Sequence, residues 1–216
     1  MIEDRHKRKF LDFIFSQIKN IQNPEILEFG VSERAMSTSF FLNLCEKNNG
    51  NLTSIDINDY SKKFNSPRWN FINVKDDSYE DIDKHLKKDL DVIYLDTTHK
   101  ADHVEKIIYH YYNKLKVRGL FFIDDISWLP YTKKREKNNF SQELNNQETF
   151  ERILEIYNFN SKKFDLEFSF VGTGIAKLIR LNNEELSIRN KLYSRKHSAK
   201  NFLRKILKFL GIKNKK

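Results

Sequence analysis

Five short apolar runs in this chain each carry or are followed at once by an acidic side chain, and stretches of helical period separate most of them. The runs are Ile26–Phe29 with Glu28, Leu52–Ile57 with Asp56, Trp69–Val74 before Asp76-Asp77-Ser78, Asp91–Leu95 before Asp96, and Leu120–Ile123 before Asp124-Asp125. A run that is apolar throughout suits a strand covered on both faces. Between such strands, helical stretches act as crossovers, and right-handed crossovers build a mainly parallel sheet. This restricts the chain to one architecture and places the acids together at one edge of it.

The helical stretches are legible from their spacing. Residues 3–21 set Phe10, Phe13, Ile14, Ile18 and Ile21 on one face, and Asn23-Pro24 stops them. Residues 34–47 carry Met36, Phe40, Phe41 and Leu44; Cys45 lies on the apolar side, a core position. Residues 78–89 read as a short helix, and 102–116 repeat Val104, Ile107, Ile108, Tyr111 and Leu115. Residues 145–158 read as a further helix, and 164–171 and 173–181 as two more strands around Gly172 and Gly174. The expected fold is α/β: a Rossmann-like, doubly wound, mainly parallel seven-stranded sheet with helices on both faces. The expected division is an N-terminal helix to residue 23, the main domain over 24–182, and a tail from 183 to 216.

In such sheets ligands bind beyond the carboxyl ends of the strands, where the strand order reverses. One acid at a strand end is ordinary as a helix cap or a solvated loop residue. Acids at five consecutive strand ends point to a shared site. With one cysteine and no His/Cys cluster at ligand spacing, zinc is not expected.

The ordered series ILEFGVSERAMST, LTSIDIND, FINVKDDS, DVIYLDTTH and GLFFIDDIS resembles a class I S-adenosylmethionine-dependent methyltransferase. Within that class it is most similar to metal-dependent O-methyltransferases, including those acting on sugar hydroxyls. The resemblance covers about residues 24–181. It implies that Glu28, Gly30, Ser32 and Ser37 cradle the methionine part of S-adenosylmethionine, that Asp56 holds the ribose, and that Asp77 and Ser78 read the adenine. It implies that Asp96, Asp124 and Asp125 bind Mg²⁺ or a similar cation, and that His99, in Asp96-x-x-His99, is the general base. The chain departs from the pattern in its first loop, where Ser32, Arg34 and Ala35 stand in place of further glycines.

The chemistry suits these residue types. A hard cation takes oxygen ligands and keeps positions open for substrate oxygens, and it lowers the pKa of a hydroxyl that it touches. Converging carboxylates repel one another unless a positive charge joins them. His103 and His110 read as structural, and His6, His85 and His197 have no partner set. The Asn/Asp-Pro-Pro-Tyr type of loop used on base amines is absent after the fourth strand. A competing reading is a catalytically degenerate methyltransferase-fold binding module that attaches to membrane or nucleic acid through its basic tail. The glycine-poor loop suits that module, whereas the acid and His set suits an enzyme. Trp128 and Tyr131, after the fifth strand, read either as a lid over the site or as packing for their own loop.

The net charge of +9 belongs to the tail. Residues 189–216 contain eleven Lys or Arg and no Asp or Glu, which leaves 28 basic against 30 acidic residues elsewhere. Nucleic acid is therefore not an expected partner of the main domain. On a wheel of about 100° per residue, Phe202, Leu203, Ile206, Leu207, Phe209 and Leu210 share one arc, and Lys200, Arg204, Lys205 and Lys208 the other. Residues 199–212 are expected either to lie on an anionic membrane surface or to pack on the domain or a second subunit. The expected location is cytoplasmic, at the inner membrane face only where the tail lies on a membrane, with a small-molecule or glycan acceptor.

Overall fold

The computed structural model describes residues 2–86, 89–127, 140–193 and 198–210. Trp128 and Tyr131 lie outside the described residues. A seven-stranded sheet runs in the order β3-β2-β1-β4-β5-β7-β6. The strands are β1 (Glu25–Phe29), β2 (Asn51–Asp56), β3 (Trp69–Asn73), β4 (Leu90–Leu95), β5 (Leu115–Ile123), β6 (Phe164–Ser169) and β7 (Ile175–Arg180). β1 to β5 are parallel, and β7 enters antiparallel between β5 and β6. The helices are α1 (Ile2–Ile18), α2 (Met36–Asn48), α3 (Tyr79–Asp83), α4 (Ala101–Tyr111), α5 (Phe140–Asn160) and α6 (Ala199–Phe209).

Successive strand residues point to opposite faces, and two cores result. On one face Phe10, Ile14 and Ile18 of α1 and Phe41, Leu44 and Cys45 of α2 cover Ile26, Leu52, Val92, Tyr94 and Phe122. On the other, Val104, Ile107 and Ile108 of α4 and Ile153 and Ile156 of α5 cover Leu27, Phe29, Ile93, Phe121 and Ile123. Ile26 and Leu27 thus serve different cores, which is why the strands read as unbroken apolar runs.

Boundaries differ from expectation at three places, one being α5, which opens at Phe140, five residues before its expected start. The helix expected over 78–89 is only α3, whose single buried anchor is Ile82. Leu115, assigned by its spacing to α4, instead opens β5 opposite Leu90, after one 3₁₀ turn. The register shifts between Leu90 and Val92, and Arg118 takes φ 72° in the resulting irregularity. A local bulge of this kind leaves no trace in hydrophobic spacing.

The strand order reverses between β1 and β4. Just past their ends, Gly30 N–H donates to Ile55 O (2.9 Å), Asp96 N–H to Phe29 O (2.9 Å) and Asp124 N–H to Leu95 O (3.0 Å). The ladder therefore sets Gly30, Asp96 and Asp124 side by side at the switch point.

Candidate active site

Gly30 lets β1 and β4 approach. Its φ is +95°, and a Cβ there would lie 2.0 Å from Asp96 O. The loop that follows turns without further glycine: Ser32 takes φ 61° and Ala35 φ 42°. Left-handed backbone costs an L-residue about 1–2 kcal/mol. The loop is held from outside. Asp56 Oδ2 accepts from Val31 N–H (2.9 Å) and Ser32 N–H (3.4 Å), and its Oδ1 accepts from Asn58 N–H (2.8 Å). Ser32 is exposed, so Ser32→Gly removes strain and no buried contact. It is expected to stabilise the fold by about 1 kcal/mol, a rise of roughly 2–4 °C in Tm for a chain of this size. Thermal melts check this, and an unchanged or lower Tm would contradict it.

A cavity of about 440 Å³ opens beyond β1, β2 and β4, lined by Gly30, Asp56, Asp76, Asp77, Asp96 and His103 among others. This size suits a small-molecule or cofactor pocket. Of the residues that resemblance assigns to the cofactor, Gly30, Asp56 and Asp77 line it; Glu28, Ser32, Ser37 and Ser78 do not. Glu28 is fully buried in β1, where Ser54 Oγ donates to its Oε2 (2.7 Å) and Trp69 Nε1 donates to Ser54 Oγ (3.0 Å). Its Oε1 has no hydrogen-bond partner among the described residues. Burial pushes the Glu28 carboxyl up to about 7, against the pull of the Ser37, Ser54 and Thr38 hydroxyls.

The spacing argument missed one feature of this cavity. His103, read as structural, points its Nε2 at Asp76 Oδ2 (2.7 Å), and Thr97 Oγ1 donates to the same oxygen. The hydrogen bond to Asp76 raises the His103 pKa, with burial opposing it. Burial would raise Asp76, but the hydrogen bonds from His103 and Thr97 outweigh it and hold its carboxyl below the ordinary range. The raised histidine contributes stability that is complete below its ordinary value of 6.5 and lost as pH rises through its folded value. The lowered aspartate contributes stability present above 3.8 and lost as pH falls through its folded value. His103→Gln is therefore expected to cost most between these two values, about 1 kcal/mol for a half-buried, solvent-screened pair. The cost should shrink toward alkaline pH. Denaturant melts across pH test this, and a cost that does not vary with pH would contradict it.

The acids after β4 and β5 meet on one tyrosine. Tyr94 is buried in β4, and its hydroxyl lies 3.0 Å from Asp124 Oδ2 and 3.3 Å from Asp96 Oδ2. One proton serves one carboxylate at a time. Burial, then the Asp96 and Asp125 carboxylates, push the Asp124 carboxyl up to about 8. Burial and the Asp124 and Asp96 charges hold the Tyr94 hydroxyl well above its ordinary value. His99 Nε2 stands 3.3 Å from Asp125 Oδ2 and 3.7 Å from Asp96 Oδ1. Asp125 takes φ 58°, a conformation strained for a residue with a side chain. Thr173 Oγ1 donates to Asp124 Oδ1 (3.1 Å). Asp96, Asp124, Asp125 and His99 thus form one cluster, and Asp96 belongs also to the cavity wall.

Donor type and mutual repulsion in this cluster suit a hard cation. The arrangement is not a coordination shell, and among the described residues no group of three or more such side chains is placed to hold a metal ion. Asp96 and Asp124 turn onto the one Tyr94 hydroxyl, and Asp125 onto His99.

Residues 27–126, the span holding all of these side chains except Thr173, match the family model of a methyltransferase domain. The match agrees with the resemblance to class I S-adenosylmethionine-dependent methyltransferases. Solved structures share the fold of this chain. MycE from the mycinamycin biosynthetic pathway, in complex with Mg, SAH and mycinamycin VI, is 20% identical with a TM-score of 0.57. That match covers 85% of this chain and 51% of MycE. SAH-bound PaMTH1 from Podospora anserina is 14% identical over 80% of this chain and 77% of its own, TM-score 0.61. A Staphylococcus aureus protein assigned as a caffeoyl-CoA O-methyltransferase is 18% identical over 79% and 82%, TM-score 0.59. No curated protein matches the sequence. Among the described residues, no helix of the chain is long and apolar enough to cross a membrane.

Proposed function

We propose that this methyltransferase is an O-methyltransferase that transfers the methyl group to a hydroxyl of a sugar or glycan precursor, with a divalent cation at the acceptor. The observation that carries the reading is the cluster of Asp96, Asp124, Asp125 and His99 sharing Asp96 with the cavity wall. It sets a proton acceptor and three oxygen donors beside the place where a cofactor's reactive end would lie. The complex of MycE with Mg and SAH, a protein of the same fold, supports a cation in the reaction.

Asp56, Asp77 and Gly30 would hold S-adenosylmethionine, which supplies a methyl group already activated on a sulfonium. Asp96, Asp124 and Asp125 would hold the cation, which supplies acidification and orientation of the acceptor hydroxyl. His99 Nε2 would take the hydroxyl proton and Asp125 and Asp96 would steady the imidazolium so formed, leaving the acceptor oxygen free to take the methyl group, whose former bonding pair stays on sulfur as a neutral thioether. Most of the acceleration then comes from position.

The test is release of S-adenosylhomocysteine by the full chain with acceptors bearing adjacent sugar hydroxyls, before and after chelation. Turnover lost on chelation and restored by Mg²⁺ is expected. Turnover indifferent to chelation would overturn the cation. Turnover on phenols alone would overturn the acceptor class.

A further inference from the structure

The last described helix has no counterpart in the site. The chain is tied to the domain as far as Leu192: Arg189 pairs with Glu105 (2.8 Å) and Glu155 (2.6 Å), and Leu192 N–H donates to Glu155 Oε1 (3.1 Å). Beyond it, α6 begins at Ser198, whose side chain accepts from Asn201 N–H. None of its residues is buried. Phe209 is 90% exposed, Phe202 65% and Leu210 62%. The apolar arc therefore does not pack on its own domain, which leaves a membrane surface or a second subunit among the explanations that the sequence opened.

We infer that α6 is a surface anchor for an anionic lipid bilayer, with its apolar arc in the interface and Lys200, Arg204, Lys205 and Lys208 over the headgroups. Soluble monomers rarely expose so contiguous an apolar patch. An isolated helix of this length is marginal in water, so a surface that accepts the apolar arc also stabilises the helix. Charge selects the surface. The arc is flanked by cations, and no acidic residue occurs anywhere from 189 to 216. A second copy packed arc to arc would bring two sets of basic residues together. A nucleic acid would satisfy the cations and leave the apolar arc in water. An anionic bilayer satisfies both arcs at once. Each basic residue near such a surface contributes about fivefold to partitioning.

The test is co-flotation of the full chain with vesicles of phosphatidylcholine alone or with phosphatidylglycerol added. Binding to the mixed vesicles is expected, with a loss of at least tenfold on pure phosphatidylcholine and in high salt. Phe209→Glu combined with Leu203→Glu should abolish binding, and Lys205→Glu combined with Lys208→Glu should reduce it by at least tenfold. All four positions are exposed, so the domain's melt should be unchanged in both variants. No binding by the parent chain, equal binding to both vesicle types, or binding kept by the Phe209→Glu, Leu203→Glu variant would each overturn the inference. A dimer that the same variant splits would also overturn it, because the arc would then have another occupant. No cofactor or acceptor is needed, so failure here leaves the proposed reaction untouched.

Discussion

Replacing His99 with alanine is expected to lower turnover by about 10²–10⁴-fold, the usual contribution of a positioned proton acceptor. Its Nε2 is the ring atom facing Asp125 and Asp96, and no other imidazole among the described residues stands in that cluster. His103 is occupied with Asp76 on the cavity side, and His110 with Asp83 at 3.1 Å. Binding of S-adenosylmethionine should stay within about threefold of the parent, because His99 does not line the cavity. The split between turnover and cofactor affinity separates a base from a merely structural residue. Turnover within tenfold of the parent would remove His99 from the role proposed for it. Loss of cofactor binding would show that it holds the fold of the pocket instead.

Gly30→Ala is expected to be the most damaging single methyl group. The new Cβ would lie 2.0 Å from Asp96 O and 3.0 Å from its carbonyl carbon, which are backbone atoms just past the end of central strand β4. No rotamer relieves such a contact. The φ of +95° adds strain of its own. A loss of about 3–4 kcal/mol follows, at the upper end for one substitution, or roughly 6–16 °C in Tm for a chain of this length. The end of β4 must move for the chain to fold at all, and it carries Asp96 with it. Residual folded protein should therefore bind cofactor at least tenfold more weakly. Ser32→Gly, two residues away, is expected to change stability in the opposite direction, so the pair tests the backbone argument within one loop. A Tm for Gly30→Ala within 2 °C of the parent would contradict it.

Most of the fold could be read from residues because both faces of the sheet are covered. Ile26 and Leu27 enter separate cores, and an unbroken apolar run is the only pattern that serves both. Leu115 could not be placed, because its spacing continues the face of α4 while the irregularity opposite Leu90 draws it into β5. At the site, strand-end acids were legible one by one, since the parallel ladder brings successive strand ends together. What joins them was not. Tyr94 sits inside an apolar run and looks like core; that its hydroxyl reaches both Asp96 and Asp124 depends on strand spacing. The partnership of His103 with Asp76 spans 27 positions and two elements, and no local period encodes it. Glu28 shows the reverse case. Its place before Gly30 resembles a cofactor contact, yet the structure turns it into the sheet toward Ser54.

The central claim is that the cavity beside Asp56, Asp76 and Asp96 receives S-adenosylmethionine although the preceding loop lacks the usual glycines. Calorimetric titration of S-adenosylmethionine into the full chain, with and without Mg²⁺, tests it most directly. The account predicts one site per chain with a Kd in the micromolar range, about 1–100 μM on the scale of ordinary enzyme substrates, and at least tenfold weaker binding by Asp56→Ala. Absence of binding under both conditions would contradict it, and the fold would then serve as a scaffold for the basic helix that it carries.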